Sequence, residues 1–249
     1  MQAWVASHVT WLMWTHETAL GRRMKNGSAF FLFLGDRVFA VTAAHVYRGY
    51  LESKRLGRIV ECNLGNLPFD PELRLVGLGA DVDIATFSIS PDDLSNIRKQ
   101  ALVVDPSEWP PPHPFTGQGA YIAGFPFGVR LWSGATDISM GLYIASPVIG
   151  TASDTTITCP FDRRFWVPAP LGTGIPPEGF DMGGISGGPL LVPMDLDGAW
   201  YLHLGGVISE APSTRGYETV ICEPAHYISA EGMIYDRRSA PLRHATLAT

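Results

Sequence analysis

A short glycine-rich stretch, residues 183–191, restricts most strongly what this chain can fold into. Ser186 stands there with Ile185 between two glycine pairs, and an apolar, strand-like run follows directly. Glycine has no Cβ, so the backbone can turn tightly and can approach another chain closely. A serine hydroxyl attacks a carbonyl only with the help of a neighbouring base and of donors for the oxyanion. The stretch therefore predicts either a nucleophile loop or a glycine-rich surface turn, depending on whether a base and an acid occur elsewhere.

The base candidate is His45, which ends the apolar run Thr42-Ala-Ala-His. The two alanines allow tight backbone packing where a strand gives way to a turn, which would hold the imidazole rigidly. A single histidine at a strand end is more often structural than catalytic. The other histidines have no comparable setting and are interpreted as structural or exposed: His8, His16, His113, His203, His226 and His244.

The acid candidates are Asp81 and Asp83, which head the apolar stretch 84–89. An acid in this position can accept the histidine N–H, fix the tautomer and stabilise the imidazolium. Both side chains point the same way by strand alternation, so spacing does not choose between them. The alternative is a solvated pair of aspartates in a turn.

Apolar periodicity predicts a chain built mostly of strands. The apolar runs 29–34 and 38–42 are separated by Gly35-Asp36, which predicts a β-hairpin. Residues 92–100 and the stretch from Pro224 are the candidates for short helices. Further strand candidates are residues 58–63, 73–78, 84–89, 120–123, 139–145, 155–158, 200–209 and 218–222.

Composition excludes several functional classes. The 249 residues are 46% hydrophobic and 17% charged, with 27 glycines and 20 prolines, which is typical of a loop-rich, strand-rich globule of one or two domains. The net charge of −6 provides no broad basic field, so we expect no nucleic-acid partner. The basic clusters at 22–25 and 237–238 are short and are interpreted as solvated surface.

The cysteines and the N-terminus predict a cytoplasmic protein without a membrane span. The three cysteines, Cys62, Cys159 and Cys222, are odd in number and widely spaced, which favours a reducing compartment. Because no CxxC pair is present, a zinc site of that type is not expected. Residues 1–15 lack a basic leader and are too short and too polar to span a bilayer. We read residues 9–14 as a first strand or a packed leading segment.

Together these motifs resemble those of the trypsin-like (chymotrypsin-fold) serine peptidases, most closely bacterial members and HtrA-like protease domains without the PDZ domain. The resemblance rests on residues 42–45, 83–85 and 184–189, in the chain order His, Asp, Ser. It covers residues 27–228. Supporting matches are residues 27–30, 124–126, 205–209 and 216–220.

The resemblance implies two antiparallel six-stranded β-barrels with the active site between them. It implies His45 as general base, Asp83 as orienting acid because it directly precedes Ile-Ala, and Ser186 as nucleophile. The oxyanion would be bound by the N–H groups of Gly184 and Ser186. The expected divisions are residues 1–26 (Trp-rich leading segment), 27–104 (first barrel), 105–117 (linker with five prolines), 118–228 (second barrel) and 229–249 (tail, its last fifteen or so residues mobile).

Two positions depart from the digestive and clotting members of that family. Ile185 stands where those enzymes carry an aspartate that pairs with a newly cleaved N-terminus, so the loop must be ordered differently, by Asp181 or by an activating partner. Phe180, six residues before the serine, would form an apolar pocket floor and predicts small or apolar residues at the cleavage site. Ser209 lies on the strand that would pair with substrate. Glu210 is the third substrate-binding candidate, and an inward shift of Glu210 or Asp181 would change the apolar preference.

The sequence thus predicts a serine endopeptidase acting on proteins or peptides, with no metal or organic cofactor. Two alternatives stay open. One is a catalytically silent trypsin-like domain that binds peptides or partners, and the other is an esterase that uses the same triad.

Overall fold

The computed structural model describes residues 2–133, 137–161, 166–167, 181–196, 198–214 and 217–242. The first of its two large sheets has eight strands, β1 (Val9–Thr18), β2 (Gly21–Leu34), β3 (Arg37–Thr42), β4 (Arg58–Leu64), β5 (Leu67–Pro68), β6 (Leu75–Leu78), β7 (Ala85–Ile89) and β8 (Leu102–Val104). Their order across the sheet is β5–β4–β1–β2–β3–β7–β6, with β8 added in parallel beside β2. The helices are α1 (Gln2–His8), α2 (Ala44–Leu56), α3 (Pro71–Arg74) and α4 (Pro91–Ile97).

The strands of the second half are β9 (Tyr121–Gly124), β10 (Arg130–Ser133), β11 (Asp137–Met140), β12 (Tyr143–Ala145), β13 (Thr151–Ser153), β14 (Thr156–Phe161), β15 (Trp166–Val167), β16 (Pro189–Leu196), β17 (Ala199–Glu210), β18 (Ser213–Thr214) and β19 (Tyr217–Pro224). Nine of them form the second large sheet, in the order β13–β14–β19–β17–β16–β9–β12–β15, with β18 paired to β19. The other two, β10 and β11, form a separate two-stranded sheet.

The predicted fold class is confirmed: two largely antiparallel β units form a chymotrypsin-like, double-barrel-like arrangement. Two details differ from the expectation. Neither sheet closes into a barrel, and each contains more than six strands because short strands of two or three residues extend it. The proline-rich segment 105–117 runs from β8 to the second half, with one 3-10 turn at Pro106–Glu108.

The position of β2 explains why the run 29–34 shows no polar face. Phe30 and Leu32 enter a core that both sheets share, whereas Ala29 and Phe31 enter a second core beneath α2. A strand buried on both faces reads as a continuous apolar run. The shared core also receives Leu191 of β16, so it fixes the second unit against the first.

Helix α2 was not predicted from the sequence. It begins at Ala44 and buries Val46, Tyr47 and Tyr50, which are spaced three and four residues apart as an amphipathic helix requires. Gly49 interrupts this pattern and weakens helix propensity. The consequence for the site is that His45 lies in the first turn of a helix that directly follows β3.

Both ends of the chain are more integrated than the predicted divisions suggest. Residues 9–26, placed in a leading segment, form β1 and the start of β2. Most of the segment placed in the tail also packs: Tyr235 N–H donates to the Tyr227 carbonyl at 2.8 Å, and Ile234 packs against the shared core. Apolar burial and backbone pairing therefore extend past residue 228, and residues 243–249 lie outside the described part.

The stretch from Pro224 forms one 3-10 turn, Ala225–Tyr227, rather than a helix. In the part of the chain that the structure describes, no helix has the length and apolarity needed to cross a membrane. Cys62, Cys159 and Cys222 are free thiols, the last two buried.

Candidate active site

His45 and Asp83 form a doubly hydrogen-bonded pair. One oxygen of the Asp83 carboxylate accepts the backbone N–H of His45 at 2.8 Å, and the other lies 2.6 Å from His45 Nδ1. One carboxylate thus holds both the backbone and the ring of the histidine. With Nδ1 as the donor in this pair, Nε2 is left as a proton acceptor.

The geometry distinguishes Asp83 from Asp81. Asp83 reaches His45 from the loop before β7. The Asp81 carboxylate instead accepts the backbone N–H of Arg237 at 3.4 Å, and the Asp81 carbonyl accepts Arg237 Nε at 2.8 Å. The choice that strand alternation left open therefore falls on Asp83 as the aspartate that contacts the histidine.

Ser186 lies in the loop before β16 and opens onto the same cleft of about 790 Å³ as His45 and Asp83. Its Oγ donates to the Ser209 carbonyl at 3.0 Å. Within the described residues, no hydrogen bond joins Ser186 to His45. The hydroxyl must therefore leave Ser209 before it can pass its proton to the imidazole, a rearrangement common between resting and substrate-bound sites.

The glycine loop leaves two backbone donors free. Gly184 has φ +96°, a conformation that glycine adopts without strain. The Gly183 carbonyl accepts the Phe127 N–H at 2.6 Å, so the N–H of Gly184, on the same trans peptide, faces the opposite way. Among the described residues, the N–H groups of Gly184 and Ser186 have no acceptor. An unpaired N–H on the serine itself and another two residues before it are the kind of donors that bind an oxyanion in acyl transfer.

Ile185 anchors this loop by burial. Its side chain is fully buried in the core of the second unit, where it joins Met182 and Leu190. Asp181, predicted from the sequence as one means of ordering the loop, accepts the Gly183 N–H at 2.8 Å. An apolar anchor and turn hydrogen bonds thus contribute to ordering the loop without an ion pair at position 185.

Sequence reasoning missed two residues behind the acid. Oε1 of Glu223 lies 3.3 Å from the Asp83 N–H and 2.7 Å from Arg237 Nη2. Arg237 Nη1 also donates to the Thr155 carbonyl at 2.8 Å. The interpretation of Arg237 as solvated surface was wrong, because its guanidinium joins the acid loop to the second sheet. Its local sequence, Arg237-Arg238 near the C-terminus, gives no sign of this role.

Burial raises the pKa of Glu223, and the nearby Arg237 opposes this shift only in part. The second oxygen, Oε2, is buried and has no hydrogen-bond partner among the described residues. A glutamate with a raised pKa in the folded state contributes stability at low pH and loses it as the pH rises through that pKa.

We therefore expect the Glu223→Gln variant to gain stability relative to wild type as the pH rises above 4.5, the ordinary glutamate pKa. Glutamine keeps an acceptor for Asp83 and Arg237 but carries no titratable charge. Urea unfolding of both proteins across a pH series gives the difference in their unfolding free energies. The contributions of the titratable groups that both proteins share cancel in this difference. A difference that stays constant or shrinks with rising pH would contradict the assignment.

Two of the three predicted substrate-binding residues lie in the described part of the structure. Ser209 is buried, and exposed Glu210 lines the cleft beside it. Phe180 lies outside the described residues, so the apolar pocket floor stays a prediction. Within the described ranges, no group of three or more His, Cys, Asp or Glu side chains is arranged to hold a metal ion.

Comparison with known proteins gives structural similarity only. No protein-family model and no curated protein matches this chain. The crystal structure of a thermostable serine protease, AL20, from an extremophilic microorganism matches with 14% identity and a TM-score of 0.45, over 88% of this chain and 92% of that one. A second match comes from a structure that describes aromatic interactions in the coupled folding and binding of the intrinsically disordered Sesbania mosaic virus VPg protein. It has 11% identity and a TM-score of 0.43, over 88% of this chain and 87% of that one. At these values, neither similarity bears on function.

Proposed function

We propose that this protein is a serine endopeptidase that works through an acyl-enzyme intermediate. The observation that carries the proposal is one cleft lined by a hydrogen-bonded His45–Asp83 pair and by Ser186. The backbone N–H groups of Ser186 and nearby Gly184 have no acceptor among the described residues. These are the base, orienting acid, nucleophile and oxyanion donors that acyl transfer needs.

In the proposed mechanism, Ser186 Oγ attacks the scissile carbonyl while His45 Nε2 takes its proton. The negative charge that develops on the carbonyl oxygen is bound by the N–H groups of Gly184 and Ser186. Asp83 stabilises the imidazolium, which then protonates the leaving amine. Water, deprotonated by His45, attacks the acyl-enzyme, and the imidazolium returns this proton to Ser186 Oγ as the second product leaves.

We propose protein or peptide substrates that pair with the end of β17 near Ser209. The strand pairing of β17 with β16 ends at Val207, so an extended peptide can add beyond that point beside the cleft. Phe180 supports a preference for small or apolar residues at the cleavage site, with Glu210 lining the cleft nearby. A panel of peptides that differ only at the residue before the cleaved bond measures this preference, and preferred cleavage after lysine or arginine would refute it.

A fluorophosphonate probe tests the proposal without knowledge of the substrate. The folded protein is expected to gain one phosphonyl group, mapped by peptide mass spectrometry to Ser186, because phosphonylation needs the same base and the same oxyanion donors. Heat-denatured protein and the Ser186→Ala variant are expected to stay unlabelled. The proposal fails if folded wild type is not labelled, or if the label lies on another serine.

A catalytically silent peptide-binding domain is the second candidate, and the hydrogen bond from Ser186 to the Ser209 carbonyl favours it, because the resting hydroxyl is turned away from His45. Labelling without any added protein would exclude this candidate and also a strict need for an activating partner. If labelling occurs, matched peptide and ester substrates separate a peptidase from an esterase, since only the peptidase hydrolyses both.

A further inference from the structure

We infer that Ser28, a buried residue of β2, is the positioning residue for the oxyanion loop. This inference rests on the proposed function and adds a residue that touches neither substrate nor the reacting atoms. Ser28 belongs to the first sheet, whereas the loop that it contacts belongs to the second. The geometry of the two backbone donors thus depends on a side chain in the opposite unit.

Ser28 makes three hydrogen bonds to the second unit. Its Oγ donates to the Gly184 carbonyl and accepts the Phe125 N–H, both at 2.8 Å. Its backbone N–H donates to the Ser186 carbonyl at 2.8 Å. Its own carbonyl accepts Thr42 Oγ1 at 2.6 Å, which ties the residue to the end of β3 just before His45. One residue therefore joins the nucleophile loop to the segment that carries the base.

These bonds fix the peptide units on either side of the oxyanion donors. Each peptide unit is planar, so a held carbonyl also sets the direction of the N–H beyond it. Ser28 holds the unit between Gly184 and Ile185 through its hydroxyl, and the unit after Ser186 through its backbone. The unit that carries the Ser186 N–H lies between these two and has little freedom to turn.

The third bond extends this control to the other donor. The Phe125 N–H donates to Ser28 Oγ, and two residues later the Phe127 N–H donates to the Gly183 carbonyl at 2.6 Å. That carbonyl shares a peptide unit with the N–H of Gly184. The Ser28 hydroxyl thus orients the Ser186 N–H through the neighbouring Gly184 carbonyl, and the Gly184 N–H through residues 125–127.

Ser28 packs closely against the backbone of two glycines of the second unit. The residue is fully buried. A Cβ added at Gly187 would lie 2.2 Å from the Ser28 carbonyl, and one added at Gly124 would lie 2.6 Å from Ser28 Oγ. The glycines near the serine thus serve close packing against Ser28 as well as backbone freedom.

Without the hydroxyl, the Gly184 carbonyl and the Phe125 N–H would be buried without partners. An unpaired buried group raises the free energy of the folded state, and rotation of the peptide units that carry these groups would let them form new hydrogen bonds. Rotation moves the donors away from the oxyanion but leaves the cleft that binds the substrate in place. We therefore expect a loss in the chemical step and little loss in binding.

Ser53 offers a matched control in helix α2, away from the cleft. It is also fully buried, accepts the Trp14 Nε1–H at 2.9 Å and donates to the Gly49 carbonyl at 2.7 Å. Ser53→Ala removes an equally buried hydroxyl and leaves the Trp14 Nε1–H without its acceptor, while the Gly49 carbonyl keeps the N–H of residue 53 within helix α2. A slower labelling rate and a faster loop exchange that occur in Ser28→Ala alone therefore report on the loop.

The test measures fluorophosphonate labelling and amide hydrogen exchange on wild type and both variants. Ser28→Ala is expected to lower the maximal labelling rate by about 10- to 100-fold, with the half-saturating probe concentration changed less than about twofold. Exchange of the hydrogen-bonded amides of Ile185, Gly187 and Gly188 is expected to accelerate. If Ser28→Ala does not fold, Ser28→Cys, whose thiol is a weaker donor, replaces it.

Three outcomes are informative. A slower maximal rate and faster loop exchange in Ser28→Ala, but not in Ser53→Ala, support the inference. Equal rates and equal loop exchange in the two variants overturn it. If wild type is never labelled but the loop of Ser28→Ala still exchanges faster than that of Ser53→Ala, the proposed chemistry fails while the positioning role stands.

Discussion

Replacement of Asp83 by asparagine is expected to slow the reaction at Ser186 by about ten-thousand-fold while leaving the fold intact. The carboxylate now accepts two hydrogen bonds from His45, one from the backbone and one at Nδ1. An asparagine has one carbonyl oxygen, which can accept the His45 backbone N–H, and its NH₂ group then faces Nδ1 of the ring. An NH₂ group that donates to Nδ1 favours the tautomer with its proton on Nε2, and Nε2 can then no longer accept the proton of the serine. The rate of fluorophosphonate labelling measures the loss, and a urea midpoint checks the fold.

Asp81→Asn is the matched control for this variant. It removes the same charge two residues away in the same cleft, but the Asp81 carboxylate touches the backbone of Arg237 and not His45. We expect the labelling rate of Asp81→Asn to stay near that of wild type. Equal losses in the two variants would show that the cleft needs negative charge in general, and the assignment of Asp83 as orienting acid would be abandoned.

The candidate triad could be predicted from the sequence because each member belongs to a short local motif. In the sequence, His45 ends an apolar run after two alanines, Asp83 heads another apolar run, and Ser186 stands among glycines that permit a tight turn. Two contiguous apolar runs with a Gly-Asp turn between them also predicted the hairpin of β2 and β3. These patterns depend on neighbours along the chain, which a single sequence displays directly.

The residues that support the triad could not be predicted in this way, because their contacts join distant parts of the chain. Ser28 reaches a loop more than 150 residues away, and Arg237 reaches the acid loop from beyond the last strand. Neither residue differs from an ordinary serine or arginine until the fold brings the partners together. Helix α2 was missed for a local reason, because Gly49 lies within its apolar pattern.

Ile185→Asp is expected to destabilise the protein by about 4 kcal/mol or more, since it places an unpaired carboxylate in a core position. Ile185 is fully buried among apolar side chains of the second unit. The trypsin-like enzymes that carry aspartate at this position pair it with a cleaved N-terminus. No cation among the described residues contacts Ile185 here. A domain typically has about 5–15 kcal/mol of stability, so the loss would unfold much of the protein or expel the loop.

Ile185→Val separates charge from volume at this position. It removes one methylene group from the same core and is expected to cost only about 1 kcal/mol. Urea midpoints measure the stability of both variants, and fluorophosphonate labelling reports the loop. In Ile185→Asp, expulsion of the side chain would turn the neighbouring N–H groups of Gly184 and Ser186, so labelling is expected to be lost even at low denaturant. An aspartate variant with a wild-type midpoint and labelling rate would show that the loop is ordered by other contacts, with Asp181 and Ser28 the first to examine, because both already bond to the loop backbone.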